Sequence, residues 1–143
     1  MYDEILFPTD GSDAAEAALD HAIGMADAYD AQLHVLYVVD TTYAGVGAAG
    51  NTNINSLREE GESVLSSTAD RIEDAGRPVE TVLKEGHPYD EILAYSEAGI
   101  DVIVMGTRGR SGVDRYLLGS VTEKVVRTAE PPVFTVRPDE KPE

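Results

Sequence analysis

The chain has 143 residues, 42% of them hydrophobic, with no cysteine or tryptophan and 27 acidic against 11 basic residues, a net charge of −16. That length buries a single core unaided, the missing cysteines exclude disulfides, thiolate zinc and iron–sulfur clusters, and no apolar run is long enough to span a bilayer. The expectation is one acidic domain over residues 1–143, soluble and cytoplasmic because the N-terminal MYDEILFPTDGSD lacks a basic segment followed by an apolar one.

In chain order, five short runs rich in branched residues predict strands at Glu4–Pro8, Gln32–Val39, Val79–Lys84, Val102–Met105 and Val133–Arg137. Between them, Asp13–Tyr29 places Ala15, Ala18, Leu19, Ala22 and Met25 on one helical face, and Leu57–Ala75 does so with Leu57, Val64, Leu65, Thr68 and Ile72. Pro88–Ala98 carries Ile92 and Leu93, and Ser120–Thr128 carries Val121, Val125 and Val126. Strict β–α alternation with nearly all-apolar central strands predicts an α/β fold, a parallel sheet covered by helices on both faces. Residues 40–56 read as a flexible loop beside a ligand, and 138–143 as a short tail.

The charge is unevenly spread. Residues 1–57 hold no Lys or Arg, and 1–105 hold 4 basic and 21 acidic residues, whereas 106–143 hold 7 basic and 6 acidic. An acidic shell of this kind repels nucleic acid and anionic membranes, so neither is expected as a partner. Only 3 of the 11 cations are Lys, a composition that suits a salt-rich, halophilic cytoplasm where self-repulsion is screened.

Gly45-Val-Gly47-Ala-Ala-Gly50 matches the dinucleotide fingerprint literally. That motif needs a strand ending at its first glycine and a helix opening at its last; here five residues intervene and 51–56 make a poor helix start, so it reads as loop. The segment from Met105 to Glu123 points more clearly to a ligand, because it starts where an apolar strand ends and finishes where a helix begins. Its glycines let amides approach an anion, free N–H groups at Gly119–Thr122 present a positive helix end, and Ser120 and Thr122 add hydroxyls. Arg108, Arg110 and Arg115 supply the local positive charge, so the segment reads as an oligophosphate cradle, although not a Walker A loop. The alternative is a helix capped by a Ser120–Glu123 capping box, which satisfies the same amides without a ligand.

Asp13 with Glu16 forms a second apparent capping box, whereas Asp10 falls at a strand's carboxyl end, the edge where open α/β sheets bind ligands. His21, His34 and His87 lack metal-ligand spacing and read as structural, and no G-x-S-x-G elbow occurs. The pairs Asp3–Glu4 and Glu59–Glu60 read as solvated surface. No residue is assigned a catalytic or metal-ligating role, with Asp10 and Asp114 the only candidates to activate water or hold a metal.

Gly106-x2-Gly109-x9-Gly119-Ser120 after an apolar strand, with the N-terminal strand ending in Pro-Thr-Asp-Gly-Ser, resembles the universal stress protein family. The resemblance runs through the Tyr37-Val38-Val39-Asp40 strand end, the Gly86-His-Pro88 turn and the terminal Pro131-Pro-Val-Phe-Thr-Val run, and so covers nearly the whole chain. It implies a doubly wound five-stranded parallel sheet of order 3-2-1-4-5 with ATP, or AMP or ADP, between strands 1 and 4. Residues matching Pro8, Thr9 and Asp10 would line the adenosine side and the backbone at Val38 would read the adenine edge. Met105, Gly106, Gly109, Gly119, Ser120, Val121 and Thr122 would hold ribose and phosphates, with Mg2+ or Mn2+ attached to the latter. Arg108 and Arg110 fall at variable motif positions, and their phosphate role is inferred from charge. The family further implies a homodimer, through the edge strand at 133–137, acting as a nucleotide-dependent stress-response regulator on an unidentified downstream protein, with at most slow ATP hydrolysis or autophosphorylation. The alternative is a nucleotide-free interaction module of the same fold.

Overall fold

The computed structural model describes residues 1–41, 50–107 and 119–138, with backbone only for 50–53. Its elements alternate without exception: β1 (Glu4–Pro8), α1 (Asp13–Tyr29), β2 (Gln32–Asp40), α2 (Gly50–Asp74), β3 (Val79–Gly86), α3 (Pro88–Ser96), β4 (Val102–Gly106), α4 (Ser120–Thr128) and β5 (Val133–Val136). The five strands form one sheet of order β3-β2-β1-β4-β5. Every pairing is parallel, as in Phe7 opposite Val35 and Leu6 opposite Ile103.

Strand residues alternate between the two faces, and each face has its own apolar layer. Ile5, Phe7, Val35 and Val104 pack with the Ala18, Leu19 and Ala22 stripe of α1 and with Leu65 and Ile72 of α2. Leu6, Leu36, Ile103 and Met105 pack on the other side with Ile92 of α3 and Val125 of α4. The layers meet at β1 and β4, whose inner residues are fully enclosed by helices on both faces. No helix among the described residues is long and apolar enough to cross a membrane.

Several local expectations are corrected. Helix α2 opens at Gly50, seven residues before Leu57, so 50–56 is helix and not loop. The flexible loop expected at 40–56 also loses Asp40 to β2, and 42–49 lie outside the described residues, as does 139–143 of the tail. The α1 cap is Ser12, whose hydroxyl accepts from the Ala15 amide at 3.2 Å, not an Asp13–Glu16 box. On α4 the N-cap is Gly119, which carries no side-chain cap, and Glu123 accepts from Arg127 at 3.0 Å. The Ser120–Glu123 capping box is therefore absent. Val126 is 44% exposed, and Thr122 takes the buried position beside Val125. Glu4 is more than solvated surface, since its carboxylate meets Nε2 of His34 at 2.6 Å while His34 Nδ1 meets the Tyr95 hydroxyl at 2.8 Å. His34 thereby fills the structural role expected of it.

Candidate functional site

A parallel sheet whose crossovers run in opposite directions leaves a crevice where the strand order reverses, outside the strands' carboxyl ends. Here that point lies between β1 and β4, and a cavity of about 480 Å³ opens there. The volume falls within the range of pockets that enclose a small organic molecule, roughly 300–1,000 Å³.

Four elements bring their expected residues to this cavity. The end of β1 and the turn after it give Pro8, Thr9 and Asp10, and β2 gives Val38. Met105 and Gly106 arrive on β4, and Gly119, Ser120, Val121 and Thr122 arrive at the start of α4. Arg108, Gly109 and Arg110 lie outside the described residues, as do Asp114 and Arg115.

The geometry explains why these residue types stand there. The Thr9 hydroxyl accepts from the Gly11 amide at 3.1 Å, and the Asp10 carboxylate accepts from the Ser12 amide at 3.0 Å, so the turn into α1 is folded by its own side chains. Gly106 lets β4 run against the start of α1, because a Cβ built there would lie 2.8 Å from the Ala14 carbonyl carbon. The buried Thr122 hydroxyl donates to the Gly106 carbonyl at 2.9 Å, and the Gly119 amide donates to the Thr107 carbonyl at 2.7 Å. Two groups expected to face a ligand as donors are therefore committed to holding the loop ends together, and the expectation of a free Gly119 amide is corrected.

What remains open is the first turn of α4. The first intrahelical bond runs from Glu123 to Gly119, which leaves the amides of Ser120, Val121 and Thr122 without an acceptor in their own helix. Helix α1 starts nearby with Ser12 taking such an amide; Gly119 has no side chain with which to do so. Of the helix starts that line the cavity, α3 opens with Pro88, which has no N–H, whereas α4 presents three aligned donors at a positive helix end, and these suit an anion. Among the described residues that line the cavity, Asp10 and Asp40 are the charged ones, and both are acidic. An anion is therefore favoured at the α4 end, and hydroxyl or amine donors at the carboxylate end.

The universal stress protein family model matches residues 1–137. The chain belongs to the universal stress protein family. It is 40% identical over 145 residues to universal stress protein MJ0531 of Methanocaldococcus jannaschii, covering 99% of this chain and 85% of that protein. With universal stress protein MJ0577 of the same organism it shares 32% identity over 155 residues and 96% of each chain. The solved structure of MJ0577 superposes with a TM-score of 0.90 over 99% of both chains. A universal stress protein solved in complex with cAMP superposes with a TM-score of 0.74 at 28% identity, covering 96% of this chain and 99% of that one.

In this universal stress protein the cavity also takes Asp40 from β2, Leu57 from α2 and Pro88 and Ile92 from α3, which were not among the expected site residues. Asp40 and Pro88 carried a usable signal. Asp40 ends the strand paired with β1, and Pro88 opens the helix that follows β3, so both fall on the ligand-binding edge of any parallel sheet. Leu57 carried none, because its place depends on how far α2 extends. No group of three or more His, Asp or Glu able to hold a metal ion occurs among the described residues.

Proposed function

We propose that the cavity binds an adenine nucleotide, ATP or its AMP or ADP relatives, and that the protein is a nucleotide-dependent stress-response regulator. The observation that carries this reading is the uncapped start of α4 opening into a cavity at the β1–β4 switch point that Asp10 also lines. The family relative solved with cAMP supports a nucleotide as the ligand class. In this assignment Pro8, Thr9 and Asp10 meet the adenosine, the Val38 backbone meets the base edge, and Met105, Gly106 and Gly119 flank the ribose. The amides of Ser120, Val121 and Thr122 meet the phosphates, joined by Gly109, Arg108 and Arg110. Mg2+ or Mn2+ would enter on the phosphates, which supply the oxygen ligands these ions prefer.

The site favours holding over turning over. Its described lining offers two carboxylates and no histidine or lysine, so hydrolysis or autophosphorylation is expected to be slow at most. The working unit is proposed to be a cytoplasmic homodimer joined at the β5 edge, in a salt-rich cell that suits the Lys-poor acidic surface. Calorimetry in concentrated KCl with Mg2+ tests the assignment. ATP or AMP should bind, and Asp10→Ala and Gly119→Val should each weaken binding at least tenfold. Absence of binding, or binding indifferent to both changes, would leave the nucleotide-free interaction module as the better reading.

A further inference from the structure

The first residues of α2, GNTNINS, are weak helix formers, yet the helix runs through them without interruption. Something outside local propensity supports this end. Arg58 is the first cation of the chain, and its guanidinium meets both oxygens of Glu85 on β3, Nε on one and Nη2 on the other at 3.1 Å. Its remaining Nη1 donates to Asn55 at 3.1 Å, one turn earlier in the same helix. The fork therefore ties two turns of α2 to the end of β3. The hydrogen bond from Arg58 holds the Glu85 carboxyl below its ordinary range, as expected of a carboxylate that accepts a planar bidentate donor.

The position of this tie gives it a bearing on the cavity. Leu57, immediately before Arg58, lines the cavity; Pro88, three residues after Glu85, lines it from α3. Between them, the Thr41 amide donates to the Gly86 carbonyl at 3.2 Å, continuing the β2–β3 ladder to the cavity's edge. One turn further along α2, a Cβ at Gly61 would approach the Tyr37 ring at 2.7 Å and the Leu83 side chain at 2.8 Å. The helix backbone rests directly on Tyr37, itself a lining residue. Helix α2 is thus held against the sheet by an apolar contact at Gly61 and a polar one at Arg58.

We propose that Arg58 and Glu85 are positioning residues for the nucleotide pocket, a clasp between two of its walls on which affinity depends although neither side chain lines the cavity. The inference rests on the nucleotide reading above. Arg58 spends its charge on Glu85 and acts on the ligand by fixing where Leu57 and Pro88 stand, not by attraction. Lysine cannot replace it, because a single ammonium cannot engage both oxygens in a plane.

Calorimetric titration with AMP tests this on Arg58→Gln, Arg58→Lys, Glu85→Gln and the exchanged pair Arg58→Glu with Glu85→Arg. Each single change should weaken AMP binding by up to about fivefold, the scale expected of a solvent-exposed ion pair. The exchanged pair should recover most of that loss. Raising KCl stepwise from the lowest concentration at which the protein is folded should weaken the wild type more steeply than Glu85→Gln, because only the wild type has a pair to screen. Thermal midpoints should stay together. Single variants that bind like the wild type, a double variant without recovery, or affinity that falls only in step with thermal stability would each overturn the clasp. If the wild type binds no nucleotide, the proposed function fails, and the clasp is then judged by hydrogen exchange. Faster exchange in the first turns of α2 in Arg58→Gln sustains it as a tie, and unchanged exchange overturns it.

Discussion

The Thr122 hydroxyl donates to the Gly106 carbonyl across 2.9 Å, joining the first turn of α4 to the last residue of β4. Both residues are buried, so this bond replaces water on an acceptor at the end of a fully enclosed strand. Thr122→Val keeps the shape and removes the donor, leaving a buried carbonyl with a methyl group beside it. The expected loss is about 1–3 kcal/mol in denaturant unfolding, with Thr122→Ser recovering part of it. Nucleotide affinity should fall in Thr122→Val as well, since α4 then loses its fixed distance from β4.

Two glycines in the same α1–β4 region should respond to alanine in opposite ways. At Gly106 the added methyl would meet backbone and side-chain atoms of Ala14 at 2.8–2.9 Å, and neither a strand nor a helix start yields cheaply. Gly106→Ala should cost at least about 1–3 kcal/mol and open the strand–helix contact beneath the cavity. Gly24 sits inside α1 with nothing within 4 Å of the same methyl. There alanine should stabilise by up to about 1 kcal/mol through helix propensity alone. Paired urea titrations check both signs, and a stable Gly106→Ala would show that the contact is slack.

The strands of the core were legible because Ile5 to Phe7 and Val102 to Val104 are apolar at every position, as residues buried on both faces must be. The bounds of α1 were legible from its alanine stripe. The start of α2 was not, because Asn and Thr argue against a helix while the support comes from Glu85, 27 residues beyond Arg58. Capping was misjudged at both helices for a related reason. A short oxygen-bearing side chain followed three residues later by glutamate, as in Asp13–Glu16 and Ser120–Glu123, looks the same in sequence whether or not the residue before it is already the cap, as Ser12 and Gly119 are. Of the cavity's expected residues, Asp10, Met105, Gly106 and Gly119 to Thr122 were legible through strand ends, glycine spacing and a helix start, which are backbone requirements, whereas Pro8, Thr9 and Val38 followed only from the family resemblance.

Beyond the cavity, Tyr95 on α3 makes alkaline stability a test of how α3 is docked. Burial first, and then the negative charges of Glu80 and Glu4, hold its hydroxyl above the ordinary phenol value. The folded state therefore binds this proton more tightly than the unfolded chain does. The resulting stability is fully present below about pH 10, where free tyrosine begins to ionise, and is lost as pH rises through the folded value. Tyr95→Phe should flatten that alkaline decline while costing about 0.5–1.5 kcal/mol at neutral pH through the lost bond to His34. An unchanged alkaline slope would mean that other tyrosines dominate it.

Phe134 gives the last prediction, which concerns assembly. It stands 44% exposed on β5, the last strand of the sheet order, with its ring centroid 5.9 Å from that of His21 on α1. An edge strand offers unpaired amides and carbonyls, and a large apolar side chain there favours burial against another copy over exposure to water. If the dimer forms through this edge, Phe134→Lys places a charge at its centre, with a matching charge from the partner if the contact is twofold symmetric. Sizing chromatography with light scattering should then give a monomer for the variant and a dimer for the wild type. A dimer in both would move the interface elsewhere, and a wild-type monomer would remove the dimer from the proposed function.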